Sequence, residues 1–212
     1  MAQGKNRASW RIGFAYAGII VGAGFSTGQE VLQFFASHGM VSILGIILAA
    51  LILMFVGRQA AKLGFRLHAD SHETPLRALF GAKLGLVIDY VLIFFLYGIA
   101  VVMIAGSGAT FNQAFGIHPQ IGVLIMILIS FGTLLLDFDK IVNIIGGITP
   151  LLIVAVIIIT VYNILNPEVP YSEVNNYVDP SRTPTSFWWF DAITYAGLAL
   201  ATAFSFLSIM GS

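Results

Sequence analysis

Midway along the first apolar run, Gly22, Ala23 and Gly24 are followed directly by Ser26, Thr27, Gly28, Gln29 and Glu30. Glycine disfavours a helix interior by about 1 kcal/mol per residue. Ser26 to Gln29 and Thr27 to Glu30 each have capping-box spacing, a hydroxyl followed three residues later by Gln or Glu. The pattern predicts one helix ending near Val21 and a second beginning near Ser26, both within a single span. Free amides at such a start, at the positive end of the helix dipole, suit an anion such as a carboxylate. Free carbonyls at the end of the preceding helix suit a small cation. Gly18 to Gly22 and Gly24 to Gly28 also have the small-xxx-small spacing that packs helices closely without any ligand. The capping residues weigh for the break. Glu30, the only acid in the first two apolar runs, reads as a proton site or gate in an outward vestibule. It reads equally as a cap glutamate reaching water near the outer interface.

Other polar residues in apolar runs are weaker candidates. Asp89 falls in the first turns of the third run, close to a membrane face, where an interfacial or helix-start role is expected. Gly106, Ser107 and Gly108 resemble a nucleophile turn, but no histidine lies inside a span to act as base, so close packing is expected. Gly146, Gly147 and Pro150 predict a kink in the fifth run. In the sixth, Trp188 and Trp189 form an interfacial belt and Tyr195 sits among small residues, a position from which it would line a site.

The elements that must position these residues are membrane helices. Of 212 residues, 58% are hydrophobic and only 9% charged, whereas soluble domains carry about 25% charged residues. Too little polar surface remains to coat a water-soluble globule, which excludes a soluble enzyme and a nucleic-acid-binding module. Spans of about 20 apolar residues are expected at 12–36, 39–57, 84–111, 120–136, 142–165 and 190–211. Nine of the ten Lys and Arg residues fall on one side, at the N-terminus, in 58–83 and at Lys140; Arg182 stands alone on the other. The positive-inside rule then places the N-terminus in the cytoplasm and the proline-rich stretch 166–187 outside. Within 58–83, Leu63, Phe65, Leu67, Leu76, Leu79 and Phe80 predict short interfacial helices, with Lys62, Arg66, Arg77 and Lys83 facing head groups. Cysteine is absent, which removes disulfides and thiolate metal sites.

The run AYAGIIVGAGFSTGQEVLQFF over 15–35 closely resembles the first helix of the YkvI-type bacterial membrane proteins. MIAGSGA over 103–109 and, more weakly, TPLL over 149–152 extend the likeness. That family is placed in the amino acid–polyamine–organocation superfamily, with a LeuT-like fold of two inverted five-helix repeats whose first and sixth helices are broken. The resemblance implies an all-α integral membrane protein, comprising the first repeat plus a sixth helix as a single transmembrane domain over 1–212. It implies that Gly22, Ala23 and Gly24 hold a substrate carboxylate, that Phe25 and Ser26 open the outer half-helix, and that the carbonyls of Gly18 and Val21 help bind sodium. Tyr195 is assigned to the substrate site by position alone. Family members have ten or more helices, so the chain is expected to be truncated before a second repeat, or completed by a second chain.

The expected function is a secondary transporter, in a bacterial cytoplasmic membrane, for a small organic solute such as an amino acid or amine. The expected coupling ion is sodium or a proton, with no cofactor or metal and no partner beyond lipid, solute and the chain that completes it. The alternative is a non-transporting solute receptor on the same fold. An intramembrane enzyme is disfavoured by the missing base.

Overall fold

Backbone amides and carbonyls in hydrocarbon have no water to bond with, so a chain this apolar must satisfy them within helices. The computed structural model describes residues 2–21 and 28–210. In chain order, α1 covers Ala2–Ile20 and α2 covers Gln29–Phe34; a 3-10 turn over Ala36–Val41 leads into α3 at Ser42–Leu67. There follow α4 at Glu73–Phe115, α5 at Pro119–Leu134, α6 at Phe138–Leu165, a second 3-10 segment over Tyr171–Tyr177, and α7 at Trp188–Met210. No strand occurs among the described residues. Among the described residues, four stretches are long and apolar enough to cross a membrane: Ala36–Leu67, Glu73–Phe115, Phe138–Leu165 and Trp188–Met210. The 16 residues of α5 are equally apolar but span only about 24 Å at 1.5 Å per residue.

Several boundaries differ from the sequence expectation. The second span does not stop at residue 57; α3 continues to Leu67 and ends where His68 turns left-handed at φ 47°. Nothing in 58–67 breaks a helix, so the polar residues there extend the span instead of starting an interfacial helix. Pro75 does not interrupt α4, because it lies in the first turn, where its missing N–H has no intrahelical partner anyway. The break comes at Gly81, at φ 79° and ψ 169°, which only glycine adopts without strain. This reversal folds Glu73–Phe80 back along the following residues, with Gly85 against the backbone of Leu76 and Arg77. Pro150 lies inside α6, which runs through it as one helix. The break that the resemblance implies for the sixth span is absent from Trp188–Met210, which is a single helix.

Packing is built on small residues. α3 lies along α7, α1 along α6 and α4 along α5, while α1 also touches α7. One buried cluster joins four helices through Ala15, Ala60, Val142, Ala203, Phe206 and Leu207. A second, of Phe35, Ala49, Ala192 and Ala196, closes the other end of the α3–α7 pair. Large side chains point outward instead, as at Leu134 and Leu151, the inverse of a soluble protein and the pattern lipid demands. At Gly64 the α3 backbone meets the carbonyl of Ser208 on α7 so closely that a methyl group would overlap it.

Gly64→Ala is therefore expected to destabilise the protein by about 1–3 kcal/mol, since backbone on both sides prevents relaxation. Gly132→Ala, with open space around it, is the control and is expected to be neutral or slightly stabilising. Thermal unfolding in detergent measures both, and equal melting temperatures would refute the close contact.

Candidate functional site

Among the described residues, the first apolar run holds two helices: α1 ends at Ile20 and α2 begins at Gln29. Gly28 occupies the cap position of α2 in the left-handed conformation, φ 74°. That backbone conformation ends helical geometry and is cheap only for glycine. Gly22, Ala23, Gly24, Phe25 and Ser26 lie outside the described residues.

A cleft of about 710 Å³ opens beside this interruption, between α1, α2, α4 and α7. Ile19 and Ile20 end α1 at its edge, and α4 supplies an apolar wall that includes Phe94, Phe95, Ile99 and Met103. From α2 come Gln29, Glu30 and Gln33; from α7 come Tyr195, Leu198, Ala199 and Thr202, spaced to share one helix face. Glu30 is the one charged residue among the described residues lining the cleft. Tyr195 is held by aromatic contacts, its ring centroid 5.0 Å from that of Phe35 in an edge-on arrangement and 5.7 Å from that of Phe34. Apolar walls with a few convergent polar groups are the usual make-up of a small-molecule site.

Of the sequence candidates, the structure brings Glu30 and Tyr195 into one cleft from opposite ends of the chain. Gly18 stands in the last turn of α1, packed against Ile145 and Thr149 of α6, and Val21 follows the helix end with its amide donating to Ala17. Neither lines the cleft. Ser107 is buried and donates to the Ile104 carbonyl at 2.6 Å, while Gly108 faces Pro119 and Val123 of α5. That run seats α5 on α4.

Two polar clusters were not legible in the sequence. At one end of α7, Asp191 is wholly buried and accepts hydrogen bonds from His38 Nε2 at 2.8 Å and from the Thr185 hydroxyl at 2.8 Å. The Thr185 amide approaches the same carboxylate at 3.3 Å. Residues 38 and 191 are 153 positions apart, and no local pattern links them. The 166–187 stretch is tied down beside this latch: the Asp179 amide donates to the Ser37 carbonyl, and the Met40 amide donates to Asn175 Oδ1. Within that stretch, the Ser181 hydroxyl donating to Asp179 holds its carboxyl below the usual carboxylate range. At the other membrane face, Asp89 is buried and lies 3.1 Å from His72 Nε2, within ion-pair distance but off hydrogen-bond alignment. The reversal at Gly81 places them together.

A set of apolar helices around a cleft at an interrupted helix defines a multi-pass membrane protein. The chain is 32% identical over 206 residues to "Uncharacterized membrane protein YkvI" of Bacillus subtilis (strain 168), covering 96% of this chain and 57% of that protein. It is 25% identical over 206 residues to "Uncharacterized protein YyaD" of the same organism, again covering 57% of it. Over nearly all its length the chain is thus YkvI-like, and it spans rather more than half of these curated relatives. No family model matches the chain, and neither does any solved structure.

Replacing His38 by Ala leaves the Asp191 carboxylate buried with Thr185 as its only side-chain partner among the described residues. Losing one partner of a buried charged group is expected to lower stability by about 3 kcal/mol. Thermal unfolding of His38→Ala and of Thr185→Ala tests this, and a His38→Ala melting temperature equal to wild type would show that the latch carries no energy.

Proposed function

We propose that the protein is a secondary transporter of a small organic solute, an amino acid or amine, driven by sodium or protons. The observation that carries this reading is the cleft at the α1–α2 interruption, walled by apolar side chains and carrying Glu30, Gln29, Gln33 and Tyr195. Helices interrupted within the membrane are the usual ligand sites of secondary transporters, because irregular backbone at that depth persists only in protein or against a wet cavity. Glu30, with no basic residue among the described residues of the cleft, supplies the negative charge that an ammonium group or a proton would neutralise. By resemblance, Gly22, Ala23 and Gly24 are assigned to a substrate carboxylate, Phe25 and Ser26 to the start of the outer half-helix at the same site, and Gly18 and Val21 to a cation. In this reading alternating access uses a second repeat, from the remaining length of a longer protein or from a second chain. The location is a bacterial cytoplasmic membrane, with the N-terminus inside by the asymmetry of Lys and Arg.

Proteoliposomes holding the full-length protein are expected to exchange labelled amino acid or amine in counterflow. Gly24→Leu is expected to abolish exchange, and Glu30→Gln to lower it at least tenfold or to remove its pH dependence. Binding without exchange would replace the transporter with a receptor, and undiminished exchange by Gly24→Leu would move the site elsewhere. Orientation is read separately, since the chain has no cysteine of its own. Lys5→Cys is expected to react with an impermeant maleimide only in inverted vesicles, and Asn175→Cys only in intact cells. The opposite pattern would overturn the orientation.

A further inference from the structure

A second groove, of about 330 Å³, lies at the far end of α3 from the 3-10 turn and away from the cleft. It is formed by α3, by Leu79 from the folded-back start of α4, and by Phe204 of α7. Along α3 its character is graded. Val56, Ala60 and Leu63 make an apolar floor, and Lys62 and Arg66, one helical turn apart, stand at its outer end. From Val56 to Arg66 the helix rises about 15 Å, so the groove passes from apolar to cationic over the depth at which a phospholipid passes from acyl chain to phosphate. Val56 and Leu79 remain substantially exposed within it, at 40% and 57%. Arg77 nearby is paired with Glu73 at 2.5 Å, whereas Lys62 and Arg66 have no acidic partner among the described residues. Across 58–83 there are five basic residues against two acids, Asp70 and Glu73. The surroundings therefore leave a positive charge uncompensated beside an open apolar channel.

We propose that this groove binds one anionic phospholipid, its phosphate held by Lys62 and Arg66 and an acyl chain laid along Val56, Ala60 and Phe204. Basic residues at the head-group level favour anionic lipids by electrostatic attraction, and the groove adds an apolar seat that fixes one molecule in place. The seated chain fills the space where α3, α4 and α7 diverge. The commitment is to a lipid rather than to a free phosphate, because most of the lining is apolar.

The test is native mass spectrometry of the full-length protein, titrated in detergent with phosphatidylglycerol or phosphatidylcholine. Wild type is expected to retain one phosphatidylglycerol at activation energies that strip phosphatidylcholine, and inorganic phosphate is expected not to displace it. The double variant Lys62→Gln, Arg66→Gln is expected to lose retention about tenfold. Leu79→Trp, which narrows the channel but keeps both charges, is expected to lose it as well and serves if the double variant does not fold. Equal retention of the two lipids would overturn the proposal. So would unchanged retention in either folded variant, displacement by phosphate, or the absence of any retained lipid because further residues of the longer protein fill the groove.

Discussion

Contact between backbones inside lipid is the constraint on which this structure rests. Between helices in hydrocarbon there is no hydrophobic drive to association, since lipid tails are as apolar as leucine, so dispersion contacts at close range must hold the helices together. Close range requires small side chains, and the buried residues of α3 and α7 are largely Gly and Ala. Gly64 against the Ser208 carbonyl is the tightest expression of this, and Ala15, Ala60 and Ala203 continue it into α1. The large residues, displaced from these seams, cover the outside. The same requirement shapes the cleft, which opens where α1 stops and α4 brings Phe and Met side chains in place of glycine and alanine.

One helix ties the cleft to its surroundings. Asp191 and Tyr195 stand four residues apart on α7, so the carboxylate bound by His38 and the ring packed on Phe35 occupy adjacent turns. His38 and Phe35 in turn flank the start of the 3-10 turn that follows α2. A displacement of α2 would therefore strain the ring contact and the buried His38–Asp191 hydrogen bond together. At the opposite face, Gly81 folds a short amphipathic segment back so that His72 meets Asp89. Each membrane face thus carries a His–Asp pair, one joining residues 153 positions apart and the other closing the local reversal at Gly81.

Much of this was legible along the chain. Composition and run length required membrane helices, because a polypeptide with 9% charged residues has no other solvent to fold in. The interruption after Val21 followed from glycine's cost in a helix and is matched by the end of α1 at Ile20. Tyr195 is singled out by its place among small residues; its position beside the cleft is what the structure adds, and its part in binding belongs to the proposal. The boundaries failed where one residue type has two local outcomes. Ser26 and Thr27, the hydroxyl caps offered by the spacing, lie outside the described residues, and Gly28 precedes α2 with a left-handed backbone. Pro75 is absorbed in the first turn of α4, and it is Gly81, with its positive φ, that makes the reversal.

Sequence by itself determined the solvent, the helical class, the asymmetry of charge and the weak point in the first run, because each depends on local composition or on spacing within one helix. Only the tertiary structure decided which residues share a site. Glu30 and Tyr195, His38 and Asp191, and Lys62 and Phe204 lie more than 140 positions apart. Their meeting depends on which helix faces pack, and that is set by how closely small residues let backbones approach. Periodicity along a helix names the face, but contact between faces names the partner.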